Sequence, residues 1–279
     1  MSPEIILKLV LLLGVVLLVV AIGIRARVDG LLRLLGRPAL ALRAVVAMYV
    51  ALPAFVLLVA WFVPLREGVG AALLGFAVAP VLPPWAKKGI AAGGEADYVI
   101  GLQLLSTGIA VLVIPLMIWI AYQVFGVATA LEPLAVELVL LVTVVVPLAL
   151  GMGLTHFFPA AAPRWAALAD RVGGVVLLLG AVVLLIVQGR AILGVIGQGT
   201  LIVAVAVVAF GLLVGHLLGG PDPGNRKALA SATVLRHPAI ALLLGSGAFP
   251  GNEATVIGTV MLYMIASLLL SVVYERWVN

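Results

Sequence analysis

Residues 226–248 read RKALASATVLRHPAIALLLGSGA. Apolar runs flank the polar triplet Arg236-His237-Pro238, and Gly245, Ser246 and Gly247 follow. Proline removes a backbone donor and clashes with the preceding turn, so a helix through this stretch breaks at Pro238. A second interruption falls in the stretch 69–92 and just past it. Pro80, Pro83 and Pro84 come first, then Lys87, Lys88, Gly89, Gly93 and Gly94. Both clusters sit in runs apolar enough to enter a bilayer, where freed backbone groups must find protein, water or a ligand. Broken helices at membrane depth line cavities. The two clusters therefore decide how the rest of the chain is read.

The composition agrees with a bilayer. Of 279 residues 65% are apolar and 10% charged, against about 25% charged in a soluble domain. Mean hydropathy is +1.34. One soluble core cannot hide that much apolar surface. With 31 Gly and 16 Pro and no Cys, the chain is not disordered, collagenous, a coiled coil or a disulfide scaffold. The lack of Cys also removes thiolate metal sites and thiol catalysis. The net charge of +5 comes from residues at the ends of apolar runs, the pattern of a cytoplasmic membrane face. No basic tail or aromatic-basic patch is available for nucleic acid, so none is expected as a partner. The expected partners are the lipid bilayer and a small-molecule substrate.

A crossing needs about 20 apolar residues. The sequence offers nine spans, at 5–24, 39–64, 69–92, 96–125, 132–155, 165–189, 194–218, 226–248 and 254–277. The first is read as a span and not a cleaved leader, because Arg25 and Arg27 follow the apolar run. The link from Arg25 to Arg43 reads as an amphipathic surface helix with Leu31, Leu32, Leu34 and Leu35 toward lipid. With the N-terminus outside, the inner face holds Arg25, Arg27, Arg33, Arg37, Arg43, Lys87, Lys88, Arg164, Arg171, Arg226, Lys227 and Arg276. The outer face holds Lys8, Arg66 and Arg190. Twelve against three supports the odd number of spans. The expectation is one all-α polytopic domain, residues 1–279, in the plasma (inner) membrane with a cytoplasmic C-terminus. Pro53, Pro115 and Pro147 read as kinks.

The interrupted spans are the third and the eighth. An odd separation means that they cross the membrane in opposite directions. Spans one to four (1–125) then pair with spans six to nine (165–279) as an inverted repeat, and 132–155 is left unpaired. Inverted repeats with paired discontinuous helices mark secondary transporters, whose substrate site lies where the half-helices cross.

At these segments the chain resembles the bile acid:sodium symporter family. That family's first broken helix reads roughly Cys-Pro-Gly-Gly, then Ser-Asn, then Gly-Asp. Here the stretch is Ala79-Pro80-Val81-Leu82, then Trp85-Ala86, then Gly94-Glu95, running on to Ser106-Thr107 and Pro115-Leu116. The second broken helix reads Glu-x-x-x-Gln-Asn-Ser-Gly, then Leu-Ala, then His-Phe in the family. Here it is Ala232 to Ala239 around Arg236-His237-Pro238, then Ile240-Ala241, then Ala248-Phe249. The family's Gln-x-x-x-Met-Pro looks like Met48 to Leu52-Pro53. The resemblance implies nine or ten spans, crossing broken helices and carriage of organic anions, usually with sodium. In sodium-coupled members side-chain oxygens hold the ions. The matching positions here are Trp85, Ala86, Ala232, Arg236 and Met48, and the next span places Val99 and Gln103 where the family has hydroxyls. The resemblance therefore implies a transporter of a small or amphipathic organic anion without sodium coupling. The alternatives are a sodium symporter that uses backbone ligands and an anion channel. Neither a Ser-His pair, an acid dyad nor a His-Glu-x-x-His helix suggests an enzyme, and no cofactor or metal is expected.

Arg236 is the candidate with the highest stakes. An Arg at the centre of a span costs about 2.5–3.5 kcal/mol on insertion scales, so it faces a cavity or a partner. It is either a fixed cation, binding an anionic substrate or standing where a sodium charge would be, or a clamp on carbonyls freed by Pro238. His237 is a hydrogen-bonding group or a proton relay, with protons as the alternative driving ion. Lys87 and Lys88 attract an anion or anchor the inner loop. Gln103, Ser106 and Thr107 are neutral hydrogen-bonders for substrate or core residues. Pro80, Pro83, Pro84 and Pro238 make the breaks. Glu95 and Asp97 read as caps of the fourth span, Glu137 as an interfacial acid, His156 and His216 as interfacial. Trp61, Trp85, Trp119, Trp165 and Trp277 read mostly as an aromatic belt.

Overall fold

The computed structural model describes residues 3–25, 28–82, 84–125, 138, 141–187, 189–248 and 251–278. Pro83 and Glu137 lie outside the described residues. Among the described residues the chain is all-helical, with one isolated β-bridge. Contacts divide it into two compact units, residues 1–27 with 137–187 and residues 28–136 with 188–279.

The first unit contains α1 (Pro3–Arg25), a π turn (Leu141–Val145) running into α8 (Val146–Phe157), and α9 (Ala162–Val187). Glycines let the backbones meet, as is usual between membrane helices. A Cβ on Gly23 of α1 would stand 2.3 Å from the Leu148 carbonyl of α8. Arg25 pairs with Asp170 at one end, where Thr155 also donates to the Ile24 carbonyl at 2.7 Å.

The second unit holds the two interrupted segments. It begins with the short α2 (Val28–Leu35) and then α3 (Pro38–Val45), a π turn (Val46–Ala51) and α4 (Leu52–Phe62). The first interrupted segment is α5 (Val69–Val78) and α6 (Trp85–Ala91), followed by the long α7 (Ala96–Phe125). After the first unit the chain returns as α10 (Gly189–Val195), a π turn (Ile196–Thr200) and α11 (Leu201–Leu218). The second interrupted segment is α12 (Pro223–Val234) and α13 (Pro238–Ala248), and α14 (Glu253–Val278) ends the chain. The helical runs Pro38–Phe62, Leu201–Leu218 and Glu253–Val278 are each long and apolar enough to cross a bilayer. Both breaks fall at the prolines that the sequence marked. The second span is less regular than its composition suggested, because Pro53 follows a π turn there.

Helix α2 corrects one expectation. Residues three apart share a helix face, so Leu31 and Leu34 separate from Leu32 and Leu35. Leu32 and Leu35 are exposed, whereas Leu34 is buried and packs where α2 lies on α7 at Gly101. Two ion pairs hold α2 and the start of α3 there, Arg33 with Asp97 and Arg37 with Glu95 at 2.7 Å. Glu95 raises the pKa of Arg37. Both acids thus serve as ion-pair partners of the surface helix.

Helices α5 and α13 lie against each other with no room for a side chain between them. A Cβ on Gly75 would stand 2.7 Å from the Ala241 Cα, so Gly75→Ala forces two backbones apart. Overpacking of this kind costs about 1–3 kcal/mol. Gly75→Ala is expected to lower the melting temperature in detergent by several degrees. Gly174→Ala, where an added Cβ meets nothing within 4 Å, should not lower it.

A carbonyl cage where the two breaks pair

The two breaks pair through their backbones. Residues 79–82 and 235–237 run extended and antiparallel, with Val81 opposite Arg236. The Leu82 amide donates to the Leu235 carbonyl and the His237 amide to the Pro80 carbonyl, both at 2.9 Å. In such a non-hydrogen-bonded pair the amide and carbonyl of the central residues point away from the partner strand. Helix α7 takes those of Val81. Ser106 Oγ accepts from the Val81 amide at 3.2 Å, and Gln103 Nε2 donates to the Val81 carbonyl at 3.0 Å. Gln103 and Ser106 are thus brought together on the first break. Thr107 instead donates to its own helix, at the Gln103 carbonyl.

Each proline here leaves a carbonyl without its helical amide. Pro80 cannot bond Phe76 O, Pro238 cannot bond Val234 O, and Pro53 cannot bond back into the π turn. There the Leu52 amide reaches Ala47 O, so Met48 O has neither residue 52 nor Pro53 to satisfy it. Phe76 O keeps only a 3.3 Å bond from the Ala79 amide, and Ala77 O loses its helical donor because the Val81 amide has gone to Ser106. Arg236 collects three of these acceptors. Its Nη2 donates to Ala77 O at 2.9 Å and to Met48 O at 3.1 Å. Its Nε donates to Phe76 O at 3.4 Å. The guanidinium carbon lies 4.7 Å from the centre of the Tyr49 ring, a cation–π distance. Tyr49 is itself held, donating to the Ser106 carbonyl at 2.6 Å. Val234 O accepts from the Tyr263 hydroxyl at 3.2 Å. Arg236 is 2% exposed, and its Nη1 has no hydrogen-bond partner among the described residues.

Successive side chains of an extended strand alternate in direction, so His237 leaves the break on the face opposite Arg236. It is buried, and neither ring nitrogen has a hydrogen-bond partner among the described residues. The other expected site residues lie apart from this cluster or act differently. Lys88 pairs with Glu275 near the end of α14 at 3.2 Å. Lys87 is exposed on α6. Pro84 caps α6. His216 Nδ1 lies 2.6 Å from the Tyr274 hydroxyl. Trp61, Trp119, Trp165 and Trp277 are exposed, as a belt requires, but Trp85 is buried. Its indole N–H donates to Ser231 Oγ at 2.9 Å, tying α6 to α12. Sequence reading missed Tyr49, Tyr263 and every carbonyl acceptor. The available signal was spacing, since Phe76 and Val234 each stand four residues before a proline and Met48 stands five before Pro53.

The two contributions of Tyr49 can be separated. Tyr49→Phe removes the hydroxyl donor but keeps the ring, and is expected to cost about 0.5–1.5 kcal/mol of stability. Tyr49→Leu also removes the aromatic face and should cost about 2 kcal/mol more if the cation–π contact is desolvated. Detergent-phase thermal unfolding of the two variants checks the order.

Residues 11–215 match the family model described as Sodium Bile acid symporter family. The match spans close to three-quarters of the chain and ends before α12, so Arg236 lies beyond it. No curated protein matches the chain. An integral membrane protein, the chain belongs to the sodium bile acid symporter family, whose members are membrane transporters.

Proposed function

We propose that the protein is a secondary transporter of a small or amphipathic organic anion, working by alternating access and without sodium coupling. The observation that carries this reading is the Arg236 guanidinium held by carbonyls where the two breaks pair. A positive charge already fills the place that a coupling ion would need. Met48, Trp85, Ala86 and Ala232 offer no side-chain oxygen beside it.

The wider architecture of this reading is nine spans with an inverted repeat, the N-terminus outside and the C-terminus cytoplasmic. Several element pairs support it. The segment of α3 and α4 and the segment of α10 and α11 each contain a π turn. Helices α5 and α6, like α12 and α13, flank a break. Helices α7 and α14 are long and continuous, and their eleventh residues, Ser106 and Tyr263, each reach a break. Span 132–155 has no counterpart. The substrate site includes Arg236, through its charge and the two donors on Nη1, and His237 on the other face. Gln103 and Ser106 shape it from α7. Lys87 stands on the inner side beside Lys88, whose charge is paired with Glu275.

A tethered cation binds an anion without driving its accumulation. A sodium ion carried with substrate draws on the membrane potential, at about 2.3 kcal/mol per charge per 100 mV. Arg236 cannot be released, so transport is facilitative or is driven by protons through His237. The expectation for proteoliposomes is saturable uptake and counterflow that persist when choline replaces sodium. A large saturable loss on that exchange sinks the uncoupled reading, and flux without counterflow stimulation indicates a channel. An imposed pH gradient, tested with His237→Gln, separates the facilitative and proton-driven forms.

Arg236→Gln tests the anion. With folding verified, the half-saturation concentration should rise about tenfold or more, the usual scale for a lost charged hydrogen bond. Unchanged apparent affinity in a folded variant leaves Arg236 as a clamp alone.

A further inference from the structure

Among the described residues, the side-chain hydrogen bonds of Arg236 all go to backbone carbonyls. Three carbonyl oxygens lie 2.9, 3.1 and 3.4 Å from its nitrogens, and an aromatic face lies on one side. None of the ion pairs described above involves Arg236, and among the described residues no carboxylate hydrogen-bonds to it. The acceptors also do not owe their position to Arg236. Met48 O is freed by the π turn and Pro53 and Ala77 O by the Ser106 bond to Val81, while Phe76 O, denied its helical amide by Pro80, keeps only a 3.3 Å bond from the Ala79 amide. Inward-turned carbonyl dipoles are how proteins coordinate small cations, and the ring face adds negative potential.

We propose that this cage is a monovalent-cation site in its own right, which the protein fills with its own guanidinium. Once that group is removed, the cage takes up a free cation. Free guanidinium is preferred, because its planar donors match the three oxygens, and sodium binds more weakly. The site needs no solute to be carried, so it is tested without one and stands or falls separately from the transport reading.

The probe is guanidinium chloride at low millimolar concentration, far below denaturing levels. Sodium chloride, choline chloride and urea are run at matched concentrations on detergent-purified protein without substrate. Arg236→Ala should melt about 5 °C or more below the parent. Guanidinium should restore the loss saturably, sodium partly, and choline and urea not at all, while the parent responds to none of them. A variant that guanidinium moves no further than choline does, or a parent that shifts equally, overturns the proposal. Should Arg236→Ala resist purification even with guanidinium present, Arg236→Lys and Arg236→Met decide. The lysine variant supplies a cation and should stay near the parent, and the methionine variant should fall well below it. A lysine variant no more stable than the methionine variant overturns the proposal.

Discussion

Three carbonyls that lack their helical donors meet one guanidinium that lacks an acid. Each side would be unfavourable alone. A buried carbonyl without a partner costs about 1–3 kcal/mol, and an Arg in mid-membrane costs about 2.5–3.5 kcal/mol on insertion scales. Together they form hydrogen bonds to a charged donor, worth about 1.5–3 kcal/mol each. The clamp spans three places far apart in sequence, the π turn before α4, the end of α5 and the break between α12 and α13. Other contacts gather around it. Tyr49 supplies the ring and is fixed by Ser106, and Ser106 and Gln103 hold the strand that faces Arg236.

The breaks were legible in the sequence because proline acts locally. Pro80 and Pro238 interrupt their helices through their own missing amides and rings, and no distant residue is needed to foresee it. The family was legible too, from spacing around the same prolines. The partners were not. Lys88 reads as an anchor or an anion site until Glu275 arrives from the other end of the chain. Trp85 looks like a belt residue by composition, yet its N–H finds Ser231 across the pair of half-helices α6 and α12. Leu34 and Leu32 look alike in an amphipathic run, and only the placement of α2 on α7 separates them. Arg236 was legible as a residue that needs a partner, and its two alternatives differ only in tertiary context.

The two breaks are satisfied by different chemistry. On the first, α7 supplies a hydroxyl and an amide to Val81. On the second, α14 supplies the Tyr263 hydroxyl to Val234, while Arg236 itself reaches across to the first half. The guanidinium therefore binds the halves of the second unit to each other.

A cage of main-chain oxygens leaves an unusual trace in a genome. Met48, Phe76 and Ala77 contribute only their carbonyls, so exchanging their side chains for others of like size alters no acceptor. What a gene can record of the cage is the set of residues that strip those carbonyls of their amides, Pro53, Pro80 and the Ser106 hydroxyl, together with Arg236 just before Pro238. Column-by-column comparison of acceptors would find nothing to compare. Kinship in this feature is written in where the chain lacks an amide and where it carries one guanidinium.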